Sequence, residues 1–306
     1  MQGGIRIFAS VAASLAAIAA SVPAIAGDTL SLAPSSAWHL DYAMDSCRMG
    51  RTFGEGDEKI ALVIDRYQPG DPMFIALAGD PLKGRMNERV LMQFGPNEPR
   101  GAFDYTPGTY GDFGPALMLN GVRFRPYQWQ VDQAEGRKRS NSESPQQTFD
   151  EPIHPEREAA IEWLAIEPRK GKRIVLKLGS MGEPMEAMRR CTDELLTHWG
   201  IDVERHRNLT RAVEPIGEVG KWIRSSDYPR GLLQKGAQGI IHFRLTTGAD
   251  GRPMGCHIQM STRPVGFDEA VCAALMRRAQ FLPALDARGE PILSFWRSTA
   301  RCEIAD

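Results

Sequence analysis

Apolar and polar positions along this chain follow three rhythms. From residue 38 to about residue 126, short apolar runs alternate with Gly, Pro, Asn and Asp, the spacing of brief strands joined by turns. Residues 60–64 (Ile-Ala-Leu-Val-Ile) predict a strand that ends at Gln68, Pro69, Gly70 and Asp71, a turn sequence. Residues 73–77 and 90–94 predict two more. Asn120 and Gly121, between the apolar runs 117–119 and 122–124, predict a two-residue hairpin. The chain then turns polar, and residues 133–150, with the basic run Arg137, Lys138 and Arg139, are expected to form a solvated loop.

The second rhythm is helical. A helix is predicted over 156–166 and a strand over 173–178. Over 183–199, Met188, Cys191, Leu195 and Trp199 recur every three or four positions, drawing one apolar stripe along a helix that Gly200 would cap. Residues 206–226 hold Pro215, Gly217 and Gly220 without sustained period and are expected to link two domains, 27–205 and 227–306.

The third rhythm occupies the C-terminal unit. Residues 239–245 alternate, placing Ile241, Phe243 and Leu245 on one face; after a turn at 248–251, Met254, Cys256, Ile258 and Met260 are expected on one face of a second strand. A helix follows, with Asp268 as N-cap, Phe267 positioned to close over Cys272, and Val271, Ala274 and Leu275 facing the sheet. Arg277 and Arg278 bring positive charge to its C-terminal end. Gly289 leads into a final strand over 292–304. The predicted fold class is α+β: a C-terminal β-β-α-β domain, a three-stranded antiparallel sheet with a helix, preceded by a separate strand-rich α+β domain.

Composition narrows the function classes. The 306 residues are 42% apolar and 25% charged, ordinary for a folded chain. Lys and Arg total 37 against 38 Asp and Glu, so the basic footprint of a nucleic-acid binder is missing. The N-terminus reads as an export leader: Arg6, an uncharged Ala-rich run over 7–22, Pro23, then Ala24-Ile25-Ala26 as a cleavage site. Cleavage after Ala26 places the protein in the periplasm with no membrane span; a retained leader would anchor it in the inner membrane instead.

Export makes the five cysteines candidates for disulfides. Cys47 with Cys191 is the expected pair in the first domain. In the second, Cys256 on a strand and Cys272 on the helix that packs against it are expected to bridge, with Cys256–Cys302 as the rival if those strands are neighbours. Five is odd, so one thiol is left over, Cys302 under the first assignment.

An ordered series in the last quarter resembles the C-terminal domain of the TonB family: Tyr228-Pro229, Gly236 and Gly239 before and at the first strand, Asp250-Gly251 in the hairpin, Phe267-Asp268-x-Ala270 at the helix start, and Phe281-Leu282-Pro283-Ala284 after it. The resemblance spans about 224–304. It departs at 261–264, where Ser-Thr-Arg-Pro stands in place of the family's Ser-Ser-Gly turn. It also departs in the expected lack of a retained anchor and a Pro-rich spacer. The resemblance implies that the last strand lies at a sheet edge and accepts an extended segment of an outer-membrane receptor or other envelope partner, a link to TonB-dependent transport. Backbone groups of the edge then supply affinity and side chains supply selectivity. The edge is expected at 293–301, with Leu293, Phe295, Trp296, Arg297, Thr299 and Arg301 as contacts. The alternative places Phe295 and Trp296 in the core and leaves the arginines as guards against aggregation.

No nucleophile elbow, P-loop or His-Glu-x-x-His metal motif occurs, so no enzyme activity, cofactor or metal is expected. His242 and His257 lie on the predicted hairpin, where a solvated sheet face accounts for them. Two other readings remain open at this stage: a structural module dimerising through its last strand, and an envelope hydrolase sited in the first domain.

Overall fold

The computed structural model describes residues 29–70, 72–84, 89–137, 154–167, 172–261 and 266–304. The expected leader, most of the charged loop (138–150) and the turn at 262–264 lie outside them. In chain order the first half forms β1 (Thr29–Leu32), β2 (His39–Tyr42), β3 (Cys47–Phe53), β4 (Ile60–Arg66), β5 (Met73–Ala78), β6 (Arg89–Gly95), β7 (Gly101–Asp104), β8 (Thr106–Thr109) and β9 (Pro115–Val122). Next come α1 (Gln128–Ala134), α2 (Pro155–Ala159), β10 (Trp163–Glu167), β11 (Arg173–Lys177), α3 (Gly182–His198) and α4 (Val203–Arg207). The remainder forms β12 (Glu214–Pro215), α5 (Arg230–Gln234), β13 (Gly239–Thr247), β14 (Pro253–Ser261) and α6 (Gly266–Arg278). It closes with β15 (Phe281–Leu282), β16 (Ala284–Leu285), β17 (Pro291–Ile292) and β18 (Ser294–Cys302). The class is α+β, mostly sheet with few helices.

Two sheets build the first half. One runs β1-β11-β10-β6-β7, the other β2-β3-β4-β5-β9-β8. Every residue of β4 is buried, as expected for a strand covered on both faces. In β6 the alternation Val90, Met92, Phe94 turns inward. These side chains meet the α3 stripe of Met185, Met188, Cys191 and Leu195 in one core. Burying each large apolar side chain contributes about 1.5–3 kcal/mol. A Cys47–Cys191 disulfide, Cα atoms 6.0 Å apart, fastens α3 to β3 across 144 residues; on a chain-entropy account such a closure contributes about 5 kcal/mol.

Two expectations for this half need correction. Asn120-Gly121 forms no hairpin. The strand continues through both residues, and two β9 residues, Asn120 and Gly121, stand opposite one on β5, Phe74: Met73 pairs Val122 and Ile75 pairs Leu119. Gly121 has φ 67°, so the Asn-Gly pair serves a bulge within a strand rather than a reversal. The predicted helix over 156–166 stops at Ala159, and Trp163–Glu167 is the strand β10, with Leu164, Ala165 and Ile166 buried between β6 and β11. A short continuous apolar run suits a strand buried on both faces as well as a helix, and periodicity does not separate the two. The charged loop also starts later than expected, since 133–134 close α1.

A second core gathers Ile241, Phe243 and Leu245 of β13, Phe267, Val271 and Leu275 of α6, and Phe281 and Trp296. The sheet runs β14-β13-β18, antiparallel throughout, so β13 is central. Cys256 and Cys272 bridge β14 to α6, closing a 16-residue interval worth about 3 kcal/mol. Cys302 is free and buried. The rival Cys256–Cys302 pairing is absent because β13 separates their strands.

Residues 206–226, expected to link the two domains, pack onto the second core. Val213 and Trp222 enter the second core, β12 pairs with β15, and Arg211 donates to the Pro283 carbonyl at 2.9 Å. Asp227 receives both guanidinium nitrogens of Arg278 at 2.7 and 3.0 Å. Arg278 also donates to the Trp222 carbonyl, so its positive charge serves this segment as well as the helix end. The Arg278 hydrogen bonds to Asp227, with that of the Arg224 backbone N–H, hold the Asp227 carboxyl down to about 2.

Candidate functional site

Strand β18 is hydrogen-bonded along one side only. All nine of its residues pair with β13, from Ser294 opposite Thr247 to Cys302 opposite Gly239. Among the described residues no strand pairs with its other side. Successive side chains alternate between the faces. Trp296 lies in the core, only 7% exposed, packed on Trp222, Phe243 and Phe281. Ala300 and Cys302 join it there. Phe295, Arg297, Thr299 and Arg301 take the opposite face.

That opposite face is not uniformly solvated, because the first half of the chain covers part of it. Phe295 meets the Trp199 ring edge-on at 5.3 Å and stacks on His206 at the same distance. Arg297 lies over the Tyr67 ring at 5.2 Å and donates to the Gln259 side chain. Arg244, opposite Arg297 on β13, is 2% exposed; its guanidinium sits 3.8 Å from the centre of Trp199 and 3.2 Å from an Asp45 oxygen. A desolvated cation over an aromatic face contributes about 2 kcal/mol or more. Burial pulls Arg297 down to about 10 and lowers Arg244 too. Tyr67 is pushed up to about 12, chiefly by burial and next by Asp65, which itself accepts from Arg48 Nε and one terminal nitrogen, each at 2.8 Å. Burial takes His206 down to about 4, against an opposing pull from Asp193.

A bulge supplies another of these contacts. His242 pairs Met260 and Phe243 pairs Ile258, leaving Gln259 as the extra residue. Its amide donates to the Tyr67 carbonyl at 3.2 Å and more weakly to that of Asp45. The same bulge moves Met260 off the face of Ile258, and a second irregularity at 253–255 leaves Met254 66% exposed, correcting the expected four-residue face.

The residues singled out from the sequence are placed as follows. Thr299 and Arg301 are exposed on the edge strand, Thr299 sharing a 2.9 Å hydrogen bond with His242 Nδ1. Phe295 and Arg297 are half-buried against the first half. Trp296 belongs to the core rather than to a contact surface, and Leu293 falls in the break between β17 and β18, so the predicted 292–304 strand is two pieces. His242 faces Thr299 and His257 faces Arg244, so the two histidines are not opposite one another.

The motif residues cluster under the sheet. Tyr228 stacks edge-on with Phe267 at 5.1 Å, and its hydroxyl donates to the Ala237 carbonyl. Pro229 immediately precedes α5, and Gly239 opens β13. Asp250 Oδ1 accepts from the Arg252 backbone at 3.0 Å. Gly251, with φ 76°, brings its carbonyl 2.9 Å from the Phe281 N–H, and a Cβ there would lie 2.0 Å from the Phe281 oxygen. The turn glycine and the Phe281-Leu282-Pro283-Ala284 run are thus one contact. Asp268 lies in the first turn of α6, which begins at Gly266, so it is not the N-cap.

Sequence reasoning missed Asp45, Tyr67, Trp199, His206, Arg244 and Gln259. They join residues up to 214 positions apart, and local periodicity carries no record of that. The one available signal was Arg244, a cation set between buried strand positions.

No family model matches this chain, and no curated protein matches it either. Among the described residues no helix is long and apolar enough to cross a membrane, and no three His, Cys, Asp or Glu residues are placed to hold a metal.

Proposed function

We propose that this chain is an exported, TonB-like protein of the cell envelope that binds an extended segment of a protein partner by strand addition to β18. One observation carries the reading: the last strand pairs on one side only, with no partner on the other among the described residues. Unpaired backbone N–H and C=O groups along an edge are a template for another strand. The two disulfides favour an oxidising compartment, the periplasm. An outer-membrane receptor, within TonB-dependent transport, or another envelope protein supplies the segment.

Titrating the full chain with TonB-box peptides and following backbone amide signals tests this. Shift changes concentrated at 298–302 are expected. Changes confined to other surfaces, or none at saturating peptide, would overturn the proposal.

A further inference from the structure

The open edge carries an excess of positive charge, and this bears on what it accepts, given the strand-addition reading above. The face shared by Arg297, Thr299 and Arg301 also holds Arg244 and His242 on the adjacent strand. Among the described residues two carboxylates are within ion-pair reach of these arginines. Asp45 is engaged by Arg244 at 3.2 Å, and Glu303 stands 4.0 Å from Arg301. Arg297 contacts the neutral Gln259 side chain and the Tyr67 ring, and among the described residues no carboxylate pairs with it. The Arg301 side chain is 69% exposed. After burial, Arg297 and Arg301 are the next influences lowering the His242 pKa, so both cations act on one spot.

An added strand would lie about 4.8 Å outside β18, with alternate side chains on this face. A residue directly opposite Arg301 comes within cross-strand reach of its guanidinium, and one two positions along, beside Thr299, lies on its diagonal; Arg297, held against Tyr67 and Gln259, adds its charge to the face without being open to contact. We propose that the segment accepted at 298–302 is an acidic extended peptide with carboxylates at positions i and i+2 on the face of Arg297, Thr299 and Arg301. A second copy of the chain fits worse. Pairing two β18 strands antiparallel about Thr299 sets Arg297 opposite Arg301 twice and brings four guanidiniums onto one face.

The test uses the full chain and three peptides of one Val/Thr-rich extended sequence, carrying Glu, Gln or Lys at i and i+2, with affinity measured by calorimetry at low and high salt. The Glu peptide is expected to bind about tenfold more tightly than the Gln peptide, the Lys peptide weakest, and the spread to shrink with salt. Arg301→Glu is expected to narrow or reverse the order, with the fold intact by circular dichroism. Equal binding of all three overturns the charge inference and leaves strand addition standing. No binding by any of them overturns both, and a dimer that excludes peptide assigns the edge to a second copy.

Discussion

Residues 294–297 and 298–302 belong to one strand and pair with one neighbour, yet their surroundings differ. Even-numbered side chains of both parts, Trp296 in the first and Ala300 and Cys302 in the second, enter the second core. The odd-numbered ones diverge: Phe295 and Arg297 are held by Trp199, His206 and Tyr67, whereas Thr299 and Arg301 are exposed. Strand pairing alone therefore does not decide which part of an edge is available. The first half of the molecule decides it by covering one end of the face, with cations of the sheet laid on its aromatic rings. The inner part is built for stability and the outer part for contact.

Four changes would break or sharpen this contrast. Trp296→Ala, in the inner part, empties a ring packed on three aromatics and is expected to cost about 3–5 kcal/mol in denaturant unfolding; a cost below 1 kcal/mol would deny that this part is core. Acid comes next. The unfolded His206 takes a proton below about pH 6.5, and the folded one resists until about pH 4. Stability therefore falls as pH drops through that window, by at most about 3 kcal/mol from this residue. His242 and His257, also lowered mainly by burial, add in the same direction. His206→Phe should flatten part of the slope; an unchanged slope would refute the placement of the imidazole beside Phe295. Phe295→Ala should cost about 1–2 kcal/mol and speed amide exchange in 294–297 toward that of 298–302. Arg301→Gln should change unfolding by less than about 0.5 kcal/mol, and a larger loss would make the outer part structural.

Elements that keep a single period were legible. The β13 alternation, the α6 face and the α3 stripe were all readable locally, and both bridged cysteine pairs followed from them with the compartment. Reading failed where one local signal served two structures. Asn120-Gly121 supplies positive φ to a bulge as readily as to a turn, and the continuous apolar run in 163–167 suits a fully buried strand as well as a helix. Residues 206–226 read as a linker because Pro and Gly interrupt the pattern, yet Trp222 and Val213 anchor them. The edge position of the last strand was an expectation from the family resemblance, but the cover over Phe295 and Arg297 was not foreseen, since it depends on how two distant halves pack.

Amide hydrogen exchange along β18, with and without a bound acidic segment, probes the central claim most directly. The account predicts that outward-facing amides within 298–302 exchange quickly in the free protein and slow markedly in the complex, while those of β13 stay slow throughout. Amides of 298–302 already as protected as β13 in the free chain, or unaltered when the segment is bound, would contradict it.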